Sequence, residues 1–174
     1  MNSYLYQNQL TIFSGMPRMR KTKVDEKLFR GGAVTSPMTL YRMKKTGITQ
    51  IIDLRNSAFL KSSLENIMCK MLGIKYLHMN FPHRRKTLPQ NDFFERINNS
   101  IEKNTGKTYL HCEYGKHRTG LAVAIYEKFH TSKTKEEITQ NMINNGYDEI
   151  ISHGKTKKEQ KYINLYQQMI NRYF

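Results

Sequence analysis

Runs of apolar positions alternate along this chain between a strand-like and a helix-like period, and that alternation predicts its elements. Leu28-Phe29-Arg30 reads as a short strand ended by Gly31-Gly32. Ser36-Pro37 supplies an N-cap and a proline at the first helical position of a helix that stops at Gly47. Ile48 to Leu54 reads as a buried strand, and Ser62 or Ser63 opens a second helix closed by Gly73. Ile74 to Met79 is the next strand, and residues 80–91 form a long loop. A helix follows from Asp92 to Lys103, with Phe93, Phe94, Ile97 and Ile101 on one side. Thr108 to His111 is a short strand, and Thr119 to Phe129 is a helix carrying Leu121, Ala122, Ala124, Ile125 and Phe129. Thr134 with Glu137 and Thr156 with Glu159 are capping boxes for two further helices. The last of these repeats Tyr162, Leu165, Tyr166, Met169 and Tyr173 at helical spacing.

Strand-helix alternation closed by terminal helices predicts an α/β sandwich, with a mainly parallel central sheet flanked by helices. Residues 1–27 are polar, basic and weakly patterned, and read as an arm or irregular lead-in to a single domain over 28–174. No repeat or Gly/Ser/Pro linker divides the 174 residues, which suit one domain.

Charge adds the next constraint. Lys and Arg number 29 against 14 Asp and Glu, a net +15 that attracts polyanions: nucleic acid, anionic lipid headgroups or phosphorylated small molecules. No stretch approaches the ~18 apolar residues a membrane span requires. The two cysteines, Cys69 and Cys112, are too few for a disulfide framework or a four-ligand zinc site, and fit a reducing, cytoplasmic setting. That does not exclude delivery to another compartment or host.

The chemistry is concentrated at Cys112-Glu113-Tyr114-Gly115-Lys116-His117-Arg118, between a buried strand and a helix expected seven residues after the cysteine. Backbone N–H groups of such a loop converge into a nest, and the helix N-terminus adds about half a positive charge. A free thiol is only about 3 % thiolate at neutral pH. Neighbouring Lys116, His117 and Arg118 with the helix end lower the pKa of Cys112. The same nest binds phosphate, and the planar Arg118 guanidinium can hold two of its oxygens. The nucleophile therefore sits where a phosphoryl group would bind, and the Thr119 hydroxyl can donate to the sulfur when it leaves.

HCEYGKHRTG, His111 to Gly120, resembles the His-Cys-x5-Arg-Thr-Gly signature of the cysteine-dependent protein tyrosine phosphatase superfamily. Within it, Gly-Lys-His-Arg-Thr-Gly is most similar to the plant-and-fungal atypical dual-specificity phosphatases. The likeness extends loosely over residues 24–150, where LFRGGAVTSPMTLYRMKKTGITQIIDLR resembles the opening of small bacterial and atypical members. The resemblance implies a protein tyrosine phosphatase-like three-layer sandwich, with Asp53 and Arg55 of the IDLR strand structural. It also implies a phosphomonoesterase in which Cys112 forms a thiophosphoryl intermediate that water hydrolyses. Arg118 and the loop at Glu113, Tyr114, Gly115, Lys116 and His117 would bind phosphate, and neither metal nor other cofactor is needed.

Members of this superfamily take a leaving-group proton from an Asp roughly thirty residues before the Cys. Here that place reads HMNFPHRRKTLPQND, and Asp92 is its nearest acid. Asp92 is the candidate general acid or a helix-start carboxylate, and His83 is a second candidate. A third possibility is that a phosphate or pyrophosphate leaving group needs no acid. His83, Arg84, Arg85 and Lys86 are either a solvated charge run or secondary contacts to a polyanionic substrate. The expected partner is a phosphoprotein or a polyanionic inositol polyphosphate or pyrophosphate, with RNA 5′-triphosphate a lesser option. A phosphate-binding or nucleic-acid-binding module without turnover is the non-enzymatic alternative. Cys69 reads as a buried packing residue, or as a partner protecting Cys112 through a reversible disulfide.

Overall fold

A computed structural model describes residues 22–56, 59–81, 92–147, 168 and 170–174. Five strands form one sheet: β1 (Thr22–Lys23), β2 (Leu28–Gly31), β3 (Ile48–Asp53), β4 (Lys75–His78) and β5 (Lys107–His111). Their order is β1-β2-β5-β3-β4. β2, β5, β3 and β4 run parallel, and β1 is antiparallel on β2, with Thr22 opposite Arg30. The lead-in read as irregular thus contributes a short edge strand at residues 22–23.

The helices are α1 (Pro37–Lys45), α2 (Phe59–Met71), α3 (Asp92–Lys103), α4 (His117–His130) and α5 (Lys135–Asn144). Parallel strands covered on both faces need apolar residues on both, and successive residues supply them alternately. Leu28, Ile52 and Leu110 pack on one side with Phe94 and Ile97 of α3 and Leu121 and Ile125 of α4. Ile51 and Tyr109 pack on the other with Leu40 and Met43 of α1 and Cys69 of α2. The three-layer sandwich is as expected.

Several boundaries move by a single residue, and two helix starts move by more. α2 begins at Phe59 instead of Ser62 or Ser63, and α4 begins at His117 instead of Thr119. The second shift places His117 and Arg118 in the first helical turn, so the loop after Cys112 is shorter than the sequence spacing suggested. Ser36 is the N-cap of α1, though its side chain makes no capping bond; Pro37 leads the helix. Thr134 and Glu137 form the reciprocal capping box of α5. The second capping box, Thr156 with Glu159, and most of the last helix lie outside the described residues. Residues 170–173 are helical, and Ile170, Tyr173 and Phe174 pack against the α3/α4 core.

Candidate active site

β5 delivers Cys112 to the carboxyl end of the sheet, where its side chain is 3 % exposed. The backbone then turns back through Gly115, whose φ of +71° lies in the left-handed region. A Cβ at Gly115 would also sit 2.3 Å from the Gly31 carbonyl carbon and 2.7 Å from the Gly32 nitrogen. Only glycine satisfies both the conformation and the close approach.

The β2 exit holds the loop from outside. Arg30 Nη2 donates to the Gly115 carbonyl at 2.8 Å, and Ala33 N–H donates to the Glu113 carbonyl at 3.1 Å. The Tyr109 hydroxyl donates to the Gly32 carbonyl at 2.8 Å. Burial lowers the pKa of Arg30 to about 10, with the nearby Cys112 and Glu127 charges pulling the other way. Arg30 holds the loop's shape, a role the sequence reading did not assign. Its signal was present in the Leu-x-Arg-Gly-Gly string, but only the fold brings residue 30 beneath residue 115.

The first intrahelical bond of α4 runs from Gly120 N–H to the Lys116 carbonyl at 2.9 Å. The preceding N–H groups are those a helix start leaves without an intrahelical acceptor, and they concentrate its positive dipole end. Burial opposes ionisation of Cys112. The Arg118 guanidinium, the Thr119 hydroxyl and N–H, and the Gly115 N–H outweigh it and hold the thiol pKa below its ordinary value. The buried Thr119 Oγ1 has no hydrogen-bond partner elsewhere among the described residues, and its hydroxyl is among the groups that lower the Cys112 pKa. Arg118 Nη1 donates to the Leu54 carbonyl at 3.1 Å, which aims the guanidinium from the end of β3.

Around the loop, Tyr114 is exposed and Lys116 half-buried. The His117 ring lies 6.1 Å from that of Tyr147, a packing contact of its side chain. Glu113 places Oε2 4.0 Å from Arg55 Nη1. Asp92 opens α3, is 52 % exposed, and pairs with Arg96 at 3.2 Å. The loop carrying His83, Arg84, Arg85 and Lys86 lies outside the described residues.

Behind the cysteine is a buried charged cluster. Arg55 Nε donates to Asp53 at 2.9 Å and its Nη2 at 2.7 Å, while Nη2 also bonds Glu65. Tyr76 donates to Asp53 at 2.6 Å. His111 has Nε2 3.1 Å from Glu65 Oε1, out of line for a straight hydrogen bond, and Nδ1 3.2 Å from the Cys112 carbonyl oxygen. Burial disfavours charge on His111, but Glu65 and Asp53 raise its pKa overall. Asp53, Glu65 and His111 bring three metal-type donors within 4.8 Å of one another. Arg55 is already bonded to both carboxylates and supplies their countercharge, so the set suits a structural ion network better than a metal. Asp53 and Arg55 lie in this buried network, and the tertiary fold joins Glu65 and His111 to them.

Cys69 lies in the core on the opposite sheet face from Cys112. A disulfide between them would have to cross the sheet, so Cys69 is a packing residue and the protective disulfide is set aside.

A buried cysteine whose thiol pKa lies below its ordinary value, an arginine and a helix N-terminus thus meet at the carboxyl end of a parallel sheet. The chain belongs to the family described as PTP-NADK, DSP-PTPase phosphatase fused to NAD+ kinase, which it matches over residues 8–166. It is a protein tyrosine phosphatase-like phosphatase. No curated protein gives a significant sequence match. Among solved structures, it resembles the core catalytic domain of the PP-IP phosphatase SIW14 from S. cerevisiae: TM-score 0.66, 17 % identity, 92 % of this chain and 89 % of that one. P. aeruginosa TpbA gives 0.63 at 12 % identity, over 91 % and 93 %. A putative phosphatase from Shewanella putrefaciens CN-32 gives 0.64 at 15 %, over 100 % and 98 %. At these identities, the TM-scores establish a shared fold and nothing further.

Proposed function

We propose that this phosphatase hydrolyses phosphomonoesters in two steps through Cys112. The thiolate attacks phosphorus, the S–P bond forms and the ester P–O bond breaks, the oxygen leaving with its electron pair. Water then attacks phosphorus and the S–P bond breaks, returning the thiolate and phosphate. Arg118 and the N–H groups of loop residues 113–118 hold the equatorial oxygens through both steps, where charge stabilisation supplies most of the acceleration. Thr119 donates to the sulfur as it leaves. No step calls for a metal. The observation that carries this reading is the placement of Cys112, buried at the end of β5 against the first turn of α4, with Arg118, Thr119 and the Gly115 N–H lowering its thiol pKa.

Asp92 remains the candidate proton donor to the leaving oxygen, although its position equally suits a helix-start carboxylate paired with Arg96. Asp92→Asn distinguishes the two: a donor slows alkyl phosphate hydrolysis far more than aryl phosphate hydrolysis. Equal small effects on both return Asp92 to the helix start.

The charge balance supports a second reading of substrate, an inositol polyphosphate or an inositol pyrophosphate; of the two, only the pyrophosphate has a phosphate leaving group that needs no acid. The PP-IP phosphatase SIW14 shares the fold, as does TpbA, whose C132S variant has been solved in complex with pTyr. Phosphate release by wild type and Cys112→Ser on an aryl phosphate, a phosphotyrosine peptide, inositol polyphosphates, an inositol pyrophosphate and a 5′-triphosphate RNA decides. Peptide preference makes this a protein phosphatase and the His83–Lys86 run a solvated surface. Polyanion preference assigns that run to substrate contact. Turnover unaffected by Cys112→Ser overturns the mechanism, and no turnover on any substrate leaves a phosphate-binding module.

A further inference from the structure

The outer surface of α1 and α2 is built unlike the rest of the molecule. Both helices pack their inner sides on one sheet face, and their C-terminal ends meet where Lys44 Nζ bonds the Leu72 carbonyl. Outward, α1 presents Met38 and Tyr41, and α2 presents Leu64, Ile67 and Met71. The spacings, i to i+3 on α1 and i, i+3, i+7 on α2, draw one ridge along each helix. These five large apolar side chains are between 47 and 81 % exposed. Scattered exposed apolar residues are ordinary, but ridges on two adjacent helices form a patch of the kind that marks an interaction site.

Charge identifies what the patch meets. From residue 27 to residue 91 the chain has only two carboxylates, Asp53 and Glu65. Both are buried and bonded to Arg55. On and beside α1 and α2, Arg42, Lys44, Lys45, Lys70 and Lys75 are exposed. Lys45 Nζ lies 5.5 Å over the Tyr41 ring, while Lys70 and Arg42 adjoin Met71 and Tyr41 in sequence. Protein–protein interfaces deplete lysine from their apolar centres. Lysine interleaved with apolar residues is the composition of an element lying in a bilayer interface, where long basic stems reach to headgroups and apolar tips enter the acyl boundary.

We propose that the outer face of α1 and α2 docks on an anionic bilayer surface. The net +15 draws the molecule in, and Met38, Tyr41, Leu64, Ile67 and Met71 insert at the headgroup level. No described helix is long and apolar enough to cross a membrane, so the attachment is peripheral and reversible. α1 and α2 begin at the carboxyl ends of the strands, so the phosphate loop and the first turns of both helices share one end of the sheet.

Flotation of the full chain with phosphatidylcholine vesicles, with and without about 30 % phosphatidylserine, tests this. Wild type floats only with the anionic vesicles, and less as salt rises. Leu64→Ser/Ile67→Ser/Met71→Ser lowers partitioning about tenfold at unchanged net charge. Each basic residue near an anionic surface multiplies partitioning about fivefold. Lys45→Glu/Lys70→Glu therefore costs far more than Lys103→Glu/Lys135→Glu, an equal charge change on α3 and α5. Unchanged aryl phosphate turnover and circular dichroism melting show that each variant folds. Failure of wild type to float, full flotation of the triple variant, or equal losses in the two charge pairs overturns the proposal. A concentration-dependent dimer abolished by the triple variant would make the face a protein interface and also overturn it.

Discussion

The two cysteines sit on opposite faces of one sheet, each almost wholly buried, and their chemistry diverges. Burial pushes the Cys69 thiol up to about 12, and the Glu65 and Asp53 carboxylates add to the rise. Cys112 is buried as deeply, yet its pKa falls below the ordinary value, because Arg118, Thr119 and the Gly115 N–H meet the sulfur. Burial alone makes a cysteine inert. A reactive one requires donors aimed at the place where charge develops. Those donors come from one short turn between β5 and α4, held by Arg30 from below and given its shape by Gly115. Cys69 shares its core cluster with Ile51, Ile74 and Leu40, and the charges that act on it are the Glu65 and Asp53 carboxylates, which oppose ionisation.

The strongest way to break this contrast is Cys112→Ser, which should lower phosphate release on the order of 10⁴-fold or more, while Cys69→Ala leaves it within about twofold. Comparable losses from both would dissolve the distinction. On the proposed mechanism Arg118→Ala removes the charge that lowers the thiol pKa and would hold the phosphoryl oxygens, and kcat/KM should fall about 10³-fold. Gly115→Ala forces a side chain against the Gly31 backbone and should cost about 10²-fold through misplacement of the loop. A crystal structure of that variant with an undisturbed loop would contradict the steric account. Arg55→Ala separates structure from catalysis. Leaving Asp53 and Glu65 without their buried partner should destabilise the fold by about 3–5 kcal/mol in urea unfolding.

Subtler tests use pH. Iodoacetate should modify Cys112 at pH 6 well before Cys69, with phosphate protecting only Cys112. The stability signs are opposite. A native pKa below the unfolded value of about 8.5 gives Cys112 a stabilising contribution that is fully present above that value. It is lost as pH falls through the native value, so the melting difference between wild type and Cys112→Ser should grow from acid to about pH 8.5. Cys69, raised to about 12, contributes nothing below about 8.5 and loses stability above it, because there only the unfolded thiol ionises. The melting difference between wild type and Cys69→Ala should therefore shrink on the alkaline side. Trends of the same sign for both variants would remove the electrostatic basis of the comparison.

Much of this was legible in the residues themselves. Strand and helix alternation follows from local apolar period, so the sandwich and the span of α3 could be read directly, as could the Thr134 capping box, which is complete within four residues. Cys112, Arg118 and Thr119 were legible because a strand, a tight turn and a helix start are consecutive in the chain. α4 starts two residues earlier than its apolar pattern predicts, because His117 and Arg118 carry no apolar signal. Parallel pairing, by contrast, is long-range. Only the assembled sheet sets Arg30 beneath the Gly115 carbonyl, the Leu54 carbonyl behind Arg118, and Glu65 against His111. Only it assigns Cys69 and Cys112 to opposite faces, and exposes residues 38, 41, 64, 67 and 71 on two helices packed against the same sheet face. Local order in the chain determined which residues could carry the chemistry. The tertiary structure decided which of them meet, because a thiolate, a buried ion network and a two-helix face are each built from segments that only packing brings together.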